Sequence, residues 1–221
     1  MTSSEAVARR NLLVTVAMVF AVFTGFAFVL PFLPLYVAQL GVREPGDAAS
    51  WAGLLIGVSP LLAGLLAPAW GRLADRHGHK RIAATALVSY AVMLALSAAV
   101  TRVGQLLALR IGIGLVGGLG PLGLAMATAQ APREDTGRAV GLIQAAQILA
   151  AAIGPLAGGL LADTIGIRRT FLATAVLCAA TLALVLAFYR EGRPAGPRPG
   201  EPAVSFGAQR EKPLTPRVPC A

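Results

Sequence analysis

Charge is scarce in this sequence, and negative charge is scarcer still. Of 221 residues only 13% are charged, 19 Lys and Arg against 10 Asp and Glu. Soluble proteins carry about 25% charged residues. With 56% of its residues hydrophobic, the chain lacks the polar surface of an ordinary water-soluble domain. Cysteine is nearly absent: Cys178 lies inside an apolar run and Cys220 near the end, so no disulfide framework is visible. The two histidines, His77 and His79, share one short loop far from either cysteine, and no metal-ligand cluster forms in the sequence. No aromatic-interleaved basic patch accompanies the net charge of +9, which removes the nucleic-acid reading. Neither a Gly-x-Ser-Gly run nor paired aspartates inside an apolar stretch occur, so a membrane enzyme such as an intramembrane protease, the third alternative, lacks its site and no enzyme is expected.

What the chain has instead is length of apolar sequence. Its hydrophobic residues come in runs of about 20 or more, enough to cross a bilayer core of about 30 Å as helices. Backbone polar groups in lipid must be satisfied within the segment, and a helix does that. Six spans are expected, at about 12–40, 51–70, 82–100, 106–129, 140–161 and 171–188. Arg9 and Arg10 before the first run resemble the start of a secretory signal, but the run is far longer than the ~7–15 residues of a signal core. Lys and Arg favour the cytoplasmic side. With the N-terminus inside, that side holds Arg9, Arg10, Arg72, Arg76, Lys80, Arg81, Arg133 and Arg138, against Arg43, Arg102, Arg168 and Arg169 outside. Both termini are therefore expected in the cytoplasm. The domain plan is a cytoplasmic start (1–11), a six-helix membrane domain (12–189) and a disordered, proline-rich cytoplasmic tail (190–221).

The membrane domain repeats itself. At an offset of 88 residues, Gly71, Leu73, Ala74, Asp75, Gly78 and Arg81 face Gly159, Leu161, Ala162, Asp163, Gly166 and Arg169. Three spans separate the copies, so one lies inside and the other outside. That is an inverted-topology repeat, with units at about 12–101 and 102–189.

The loop Gly71-Arg72-Leu73-Ala74-Asp75-Arg76-His77-Gly78-His79-Lys80-Arg81 closely resembles the loop between the second and third helices of the major facilitator superfamily. The resemblance covers residues 11–190 and implies an all-α membrane protein, the six-helix N-terminal half of a carrier. In this loop Gly71 would permit close helix approach, Gly78 a tight turn, and Asp75 an anion suited to a neighbouring helix N-terminus. In the family that neighbour belongs to the other half, and the contact stabilises the outward-open state. Two departures weaken the family's charge relay: His79 stands where arginine is usual, and Ala129 where many relatives carry an acid. Gly141, Ala150, Gly154, Pro155, Gly158 and Gly159 resemble the fifth-helix motif of antiporters in this superfamily, with Ala150 in place of a glycine. Ala150, Gly154 and Gly158 form one small-residue stripe and Gly141 falls on the opposite side. The resemblance implies that Pro155 bends this helix against one from the other half. Plain small-residue helix packing is the competing explanation.

Arg110 resembles the fourth-helix arginine that the family links to proton transfer. The alternative is an arginine that snorkels to the outer surface. Gln144 and Gln147 either face a substrate cavity or bond a neighbouring helix, and Tyr36 is a further candidate for the proton or substrate path. The stretch from Leu30 to Gly41 resembles bacterial multidrug efflux members. The resemblance thus implies proton-coupled export of drugs or other small amphipathic molecules across the bacterial inner membrane. No cofactor is expected beyond the proton gradient. Expected partners are the lipid bilayer, a small-molecule substrate, and a second half or a second copy. A full carrier has two six-helix halves, so this chain reads as a truncated product or a half that pairs with itself. The alternative function is a non-transporting module that associates with a full-length relative.

Overall fold

The computed structural model describes residues 3–42, 44–116, 118–129 and 133–190. The tail expected over 190–221 lies outside the described residues except for Arg190. The fold is all-α, with α1 (Ser3–Val29), α2 (Leu33–Gln39), α3 (Pro45–His77), α4 (His79–Ala99), α5 (Val103–Val116), α6 (Leu119–Ala129), α7 (Thr136–Ile165) and α8 (Ile167–Phe188). They form six membrane-capable segments, α1–α2 and α5–α6 each making one. The chain is an integral membrane protein. Leu61, Leu65, Ile148, Leu156, Leu160 and Val176 are each more than 60% exposed, an apolar density that suits lipid or a protein interface within the membrane and not water.

Two of the expected spans are interrupted. The first passes through a turn of 3-10 helix at Leu30–Phe32, where Pro31 and Pro34 lack the amides that would continue the α-helical ladder. The fourth breaks around Gly118 into α5 and α6. The other four helices are continuous, and α3 and α7 extend several residues beyond the expected apolar runs at both ends. α7 runs unbroken through Pro155.

The repeat is legible in local geometry. α3 ends at Gly78 (φ 91°) and α7 at Gly166 (φ 85°), the same repeat position in the same left-handed region. Each glycine amide closes its helix on the carbonyl four residues back, Gly78 on Ala74 and Gly166 on Ala162, both at 2.9 Å. Each glycine carbonyl then accepts from the next helix, from the Ile82 amide in one copy and Thr170 in the other. An L side chain in this backbone region costs about 1–2 kcal/mol, which is why both positions hold glycine.

Packing falls into two clusters, one toward each end of the bundle. One gathers Met18, Ala83, Leu87, Met126, Ile143 and Val185; the other gathers Leu33, Leu55, Leu94, Leu106, Phe171 and Cys178. Tyr90 packs against both. Lipid is as apolar as leucine, so close backbone approach matters more here than area removed from water. The stripe of Ala150, Gly154 and Gly158 provides that approach, against α1 of the same chain rather than a helix from elsewhere. A Cβ on Gly158 would stand 2.6 Å from Phe28 Cα, and one on Gly154 would lie 3.2 Å from the Thr24 carbonyl oxygen. The expectation that this stripe faces another half is therefore corrected: α1 offers Ala27 and its own backbone at that register.

Hydroxyls inside the bundle are mostly satisfied at home. Thr15, Ser97, Thr174 and Thr181 each donate to the carbonyl four residues back, the local option that lipid favours. The ends of α1 and α8 are tied by a reciprocal pair: the Asn11 amide donates to the Arg190 carbonyl at 2.6 Å, and the Arg190 amide to Asn11 Oδ1 at 3.0 Å.

Candidate functional site: a cavity at a broken helix

The break between α5 and α6 opens a cavity of about 270 Å³. That is just under the lower bound of about 300 Å³ for ligand pockets, room for a small molecule or part of one. Its walls are Val22, Phe23 and Phe26 of α1, Ser59, Pro60, Ala63 and Gly64 of α3, Tyr90 of α4, and Gly118 to Pro121 at the break. Both repeats contribute. Within α3, Pro60 has no amide to offer the Ile56 carbonyl, and Gly64 keeps the wall thin.

The break is held open by specific contacts. Trp70 Nε1 donates to the Leu115 carbonyl at 3.0 Å, serving one of the acceptors that the end of α5 leaves unpaired. Its side chain also packs on Gly118, 3.5 Å from where a Cβ would stand. α6 restarts with the Leu122 amide on the Gly118 carbonyl at 2.7 Å. Upstream, Gly114 presses on α3 so closely that a Cβ would meet Ser59 oxygen at 2.9 Å.

Arg110 lies next to this cavity and does not snorkel. It is 1% exposed, about 10 Å along α5 from the first residue of that helix. Its guanidinium carbon lies 5.5 Å from the centre of the Phe26 ring, a cavity wall. Ser59, another wall residue, donates to the Arg110 carbonyl at 2.7 Å and locks α3 to α5. Nε and one terminal nitrogen of Arg110 have no hydrogen-bond partner. Among the described residues no carboxylate forms an ion pair with it. Glu44, Asp47, Asp75, Glu134, Asp135 and Asp163 are all exposed, at helix ends or in loops. A charge at a helix centre costs about 2.5–3.5 kcal/mol on insertion scales, so an arginine kept there marks function.

The other candidates divide. Gln147 is half-buried, and its side-chain nitrogen stands 4.0 Å from a Cβ built on Gly120, at the rim of the cavity. Gln144 is exposed and away from it. Tyr36 lies away from the cavity: it is fully buried at the other cluster, 5.2 Å from the Phe171 ring, and donates to the Ser97 carbonyl at 2.8 Å. Its hydroxyl is anchoring α2 to α4. Among antiporter-motif positions, Gly141 meets open space and Gly159 only Phe32 at 3.8 Å.

The Gly71–Arg81 segment follows Trp70 as the last turns of α3 and the start of α4, and none of its residues lines the cavity. Ala74 is its one buried residue. Gly71 permits no close approach within this chain, since a Cβ there would meet nothing within 4 Å. Leu73, Arg76 and Arg81 are exposed. Asp75 is 74% exposed, with His79 Nε2 at 3.9 Å. Lys80 Nζ donates to the Leu186 carbonyl at 2.8 Å, so the loop is fastened to the last turn of α8.

Sequence reasoning did not identify Phe26, Ser59 and Trp70. One signal for the break was present: Gly112, Gly114, Gly117, Gly118, Gly120 and Pro121 crowd the middle of one apolar run, a density that disfavours an uninterrupted helix.

Comparison with known proteins agrees with this architecture. A family model described as Major Facilitator Superfamily matches residues 11–218. The chain is 39% identical over 183 residues to the multidrug resistance protein MdtG of Salmonella paratyphi A, covering 83% of this chain and 45% of that protein. It is 40% identical over 185 residues to MdtG of Citrobacter koseri, with the same coverage of 83% and 45%. The chain thus spans about half the length of the curated relatives it matches. The human organic anion transporter MFSD10 (TETRAN) superposes with a TM-score of 0.73 at 22% identity, over 83% of this chain and 48% of that one, which is a likeness of fold.

Proposed function

Because the chain belongs to the Major Facilitator Superfamily, we propose that it forms the N-terminal half of a secondary carrier that exports small amphipathic molecules. The observation that carries this reading is the cavity at the α5–α6 break, an apolar chamber beside one buried cation, walled by helices of both repeats. Discontinuous helices in carriers place backbone ends and charges where substrate binds near the midplane. The similarity to multidrug resistance proteins supports drugs and related compounds as cargo.

The proton gradient supplies the energy in this proposal. The carboxylates of the described membrane-capable helices, Asp47, Asp75 and Asp163, are exposed and lie near helix ends, which supports a second six-helix half as the place where a proton is gained and lost. α3 and α7 are the least buried spans, and their open faces are the surfaces that a second half would cover. Both termini face the cytoplasm of a bacterium, and Asp75 governs switching between states rather than binding.

The test is reconstitution. The chain is placed in proteoliposomes alone and with the C-terminal half of a relative, and dye accumulation is followed under an imposed proton gradient. Accumulation that requires both halves and collapses when the gradient is dissipated is the expected result. Equal flux with and without the gradient would overturn proton coupling, and no flux in either preparation would overturn the carrier reading.

A further inference from the structure

We infer that Lys80 and Arg168 are matched clasps, one from each repeat, that fasten α4 to α8 at both ends and make the two repeats one rigid body. Lys80 is thereby a positioning residue inside this chain, although it stands in the loop otherwise read as a contact to a second half.

The two residues are equivalent in sequence. They lie 88 apart, the offset of the repeat, and each is the second residue of its helix, Lys80 of α4 and Arg168 of α8. They are equivalent in contact as well. Lys80 Nζ donates to the Leu186 carbonyl at 2.8 Å, in the last turn of α8. A terminal nitrogen of Arg168 donates to the Val100 carbonyl at 3.1 Å, at the end of α4. Each helix thus sends a cation from its first turn to the last carbonyls of the other.

The acceptors are ones that the helices leave over. In a continuing helix the Leu186 carbonyl would take the Arg190 amide, but that amide donates to Asn11 Oδ1. Val100 leaves α4 in an extended conformation (φ −63°, ψ 146°), so its carbonyl stands outside the helical ladder. Both carbonyls sit at the negative end of a helix dipole, where a cation is favoured.

Neither cation suits its own helix. A positive charge near a helix N-terminus opposes the dipole. Neither first turn holds an acid, and neither helix has a side-chain N-cap bond. The gain therefore lies across the pair. The preference of Lys and Arg for the cytoplasmic side accounts for a cation at one end of the pair and not at both.

Placement gives the clasps their effect. α4 and α8 belong to different repeats and pack along their length, through Ala83, Leu87 and Val185 in one cluster and Leu94, Phe171 and Cys178 in the other. Apolar packing alone gains little against lipid, which is as apolar as leucine. Two charge-assisted bonds about 30 Å apart along α4 fix the register of the pair and keep its ends from splaying.

The experiment uses the full chain in lipid nanodiscs, with Cys178 and Cys220 replaced by alanine. Spin labels go in pairs on exposed positions, Thr85→Cys with Ala183→Cys toward one end and Leu96→Cys with Leu172→Cys toward the other. Pulsed electron resonance reads the distance distribution of each pair. Lys80→Met should broaden the first distribution and leave the second unchanged, and Arg168→Met should do the reverse. Lys80→Arg and Arg168→Lys, which keep a cation and a donor, should retain the native widths. Each methionine variant should also lower the melting temperature by about 2–4 °C. Broadening at both ends by either substitution, broadening at neither, an unchanged melting temperature, or a conservative variant as broad as methionine overturns the inference. If a methionine variant does not fold, solid-state NMR of the native chain decides. Contacts from Lys80 Nζ to the Leu186 carbonyl carbon and from the Arg168 guanidinium to the Val100 carbonyl carbon support the clasps, and absence of either overturns them. None of these readouts involves transport, so the clasps stand or fall apart from the carrier reading.

Discussion

Trp70 shows how a single side chain holds the site's geometry. Breaking the fourth span leaves carbonyls at the end of α5 with no helical partner, and lipid offers none. The indole N–H bonds one of them, at Leu115, and the ring packs on Gly118. Trp70→Phe keeps the apolar bulk and deletes the donor. It should lower thermal stability by about 1 kcal/mol and shift fluorescence of a probe attached at Pro121, as the end of α5 rearranges. An unchanged melting curve together with an unchanged probe signal would mean that the break holds itself. Ser59 and Arg110 act at the same scale, one joining helices through a backbone carbonyl and the other keeping a buried charge unpaired.

Between elements, the closest approach is that of α7 on α1. Gly158 lies against the backbone of Phe28, so any added atom must push two helices apart. Gly158→Leu should destabilise the bundle by about 1–3 kcal/mol or more, since overpacked cores relax poorly. Gly141→Leu, nearly five turns away on an open face, should change stability by less than about 0.5 kcal/mol. Melting in detergent compares the two, and equal losses would refute the packing argument. The Gly71–Arg81 loop is another element-scale device, fastened to α8 through Lys80 while Asp75 stays exposed. In a carrier completed with a second half, Asp75→Asn should slow transport several-fold and leave substrate affinity within about twofold. A large loss of affinity with normal turnover would give the residue a different role.

For the whole molecule the open question of orientation has a direct measurement. The proposed orientation, read from the basic bias, predicts the Gly78 turn inside and the Gly166 turn outside. With Cys178 and Cys220 replaced by alanine, an impermeant maleimide added to intact cells should label a cysteine at Arg169 and not one at His77, both exposed positions. The opposite pattern would invert the topology. Much at this scale was already legible in the residues. Six spans follow from the length of the apolar runs, because a bilayer imposes that length on any helix that crosses it. The repeat was visible in Asp75 with Asp163 and Gly78 with Gly166, because a left-handed turn admits glycine and little else. Within the two motifs, backbone geometry requires glycine at Gly78, by its positive φ, and at Gly154 and Gly158, by their approach to α1, but not at Gly71 or Gly141. Which way Arg110 and Gln147 point, and which helix the Ala150–Gly158 stripe meets, were decided only by tertiary structure. In an all-round apolar helix, hydrophobic periodicity does not mark the buried face, because lipid and protein interior are equally apolar. The bond from Tyr36 to α4 and the cavity were illegible on that account, since the cavity exists only where α1, α3, α4 and the broken fourth span converge.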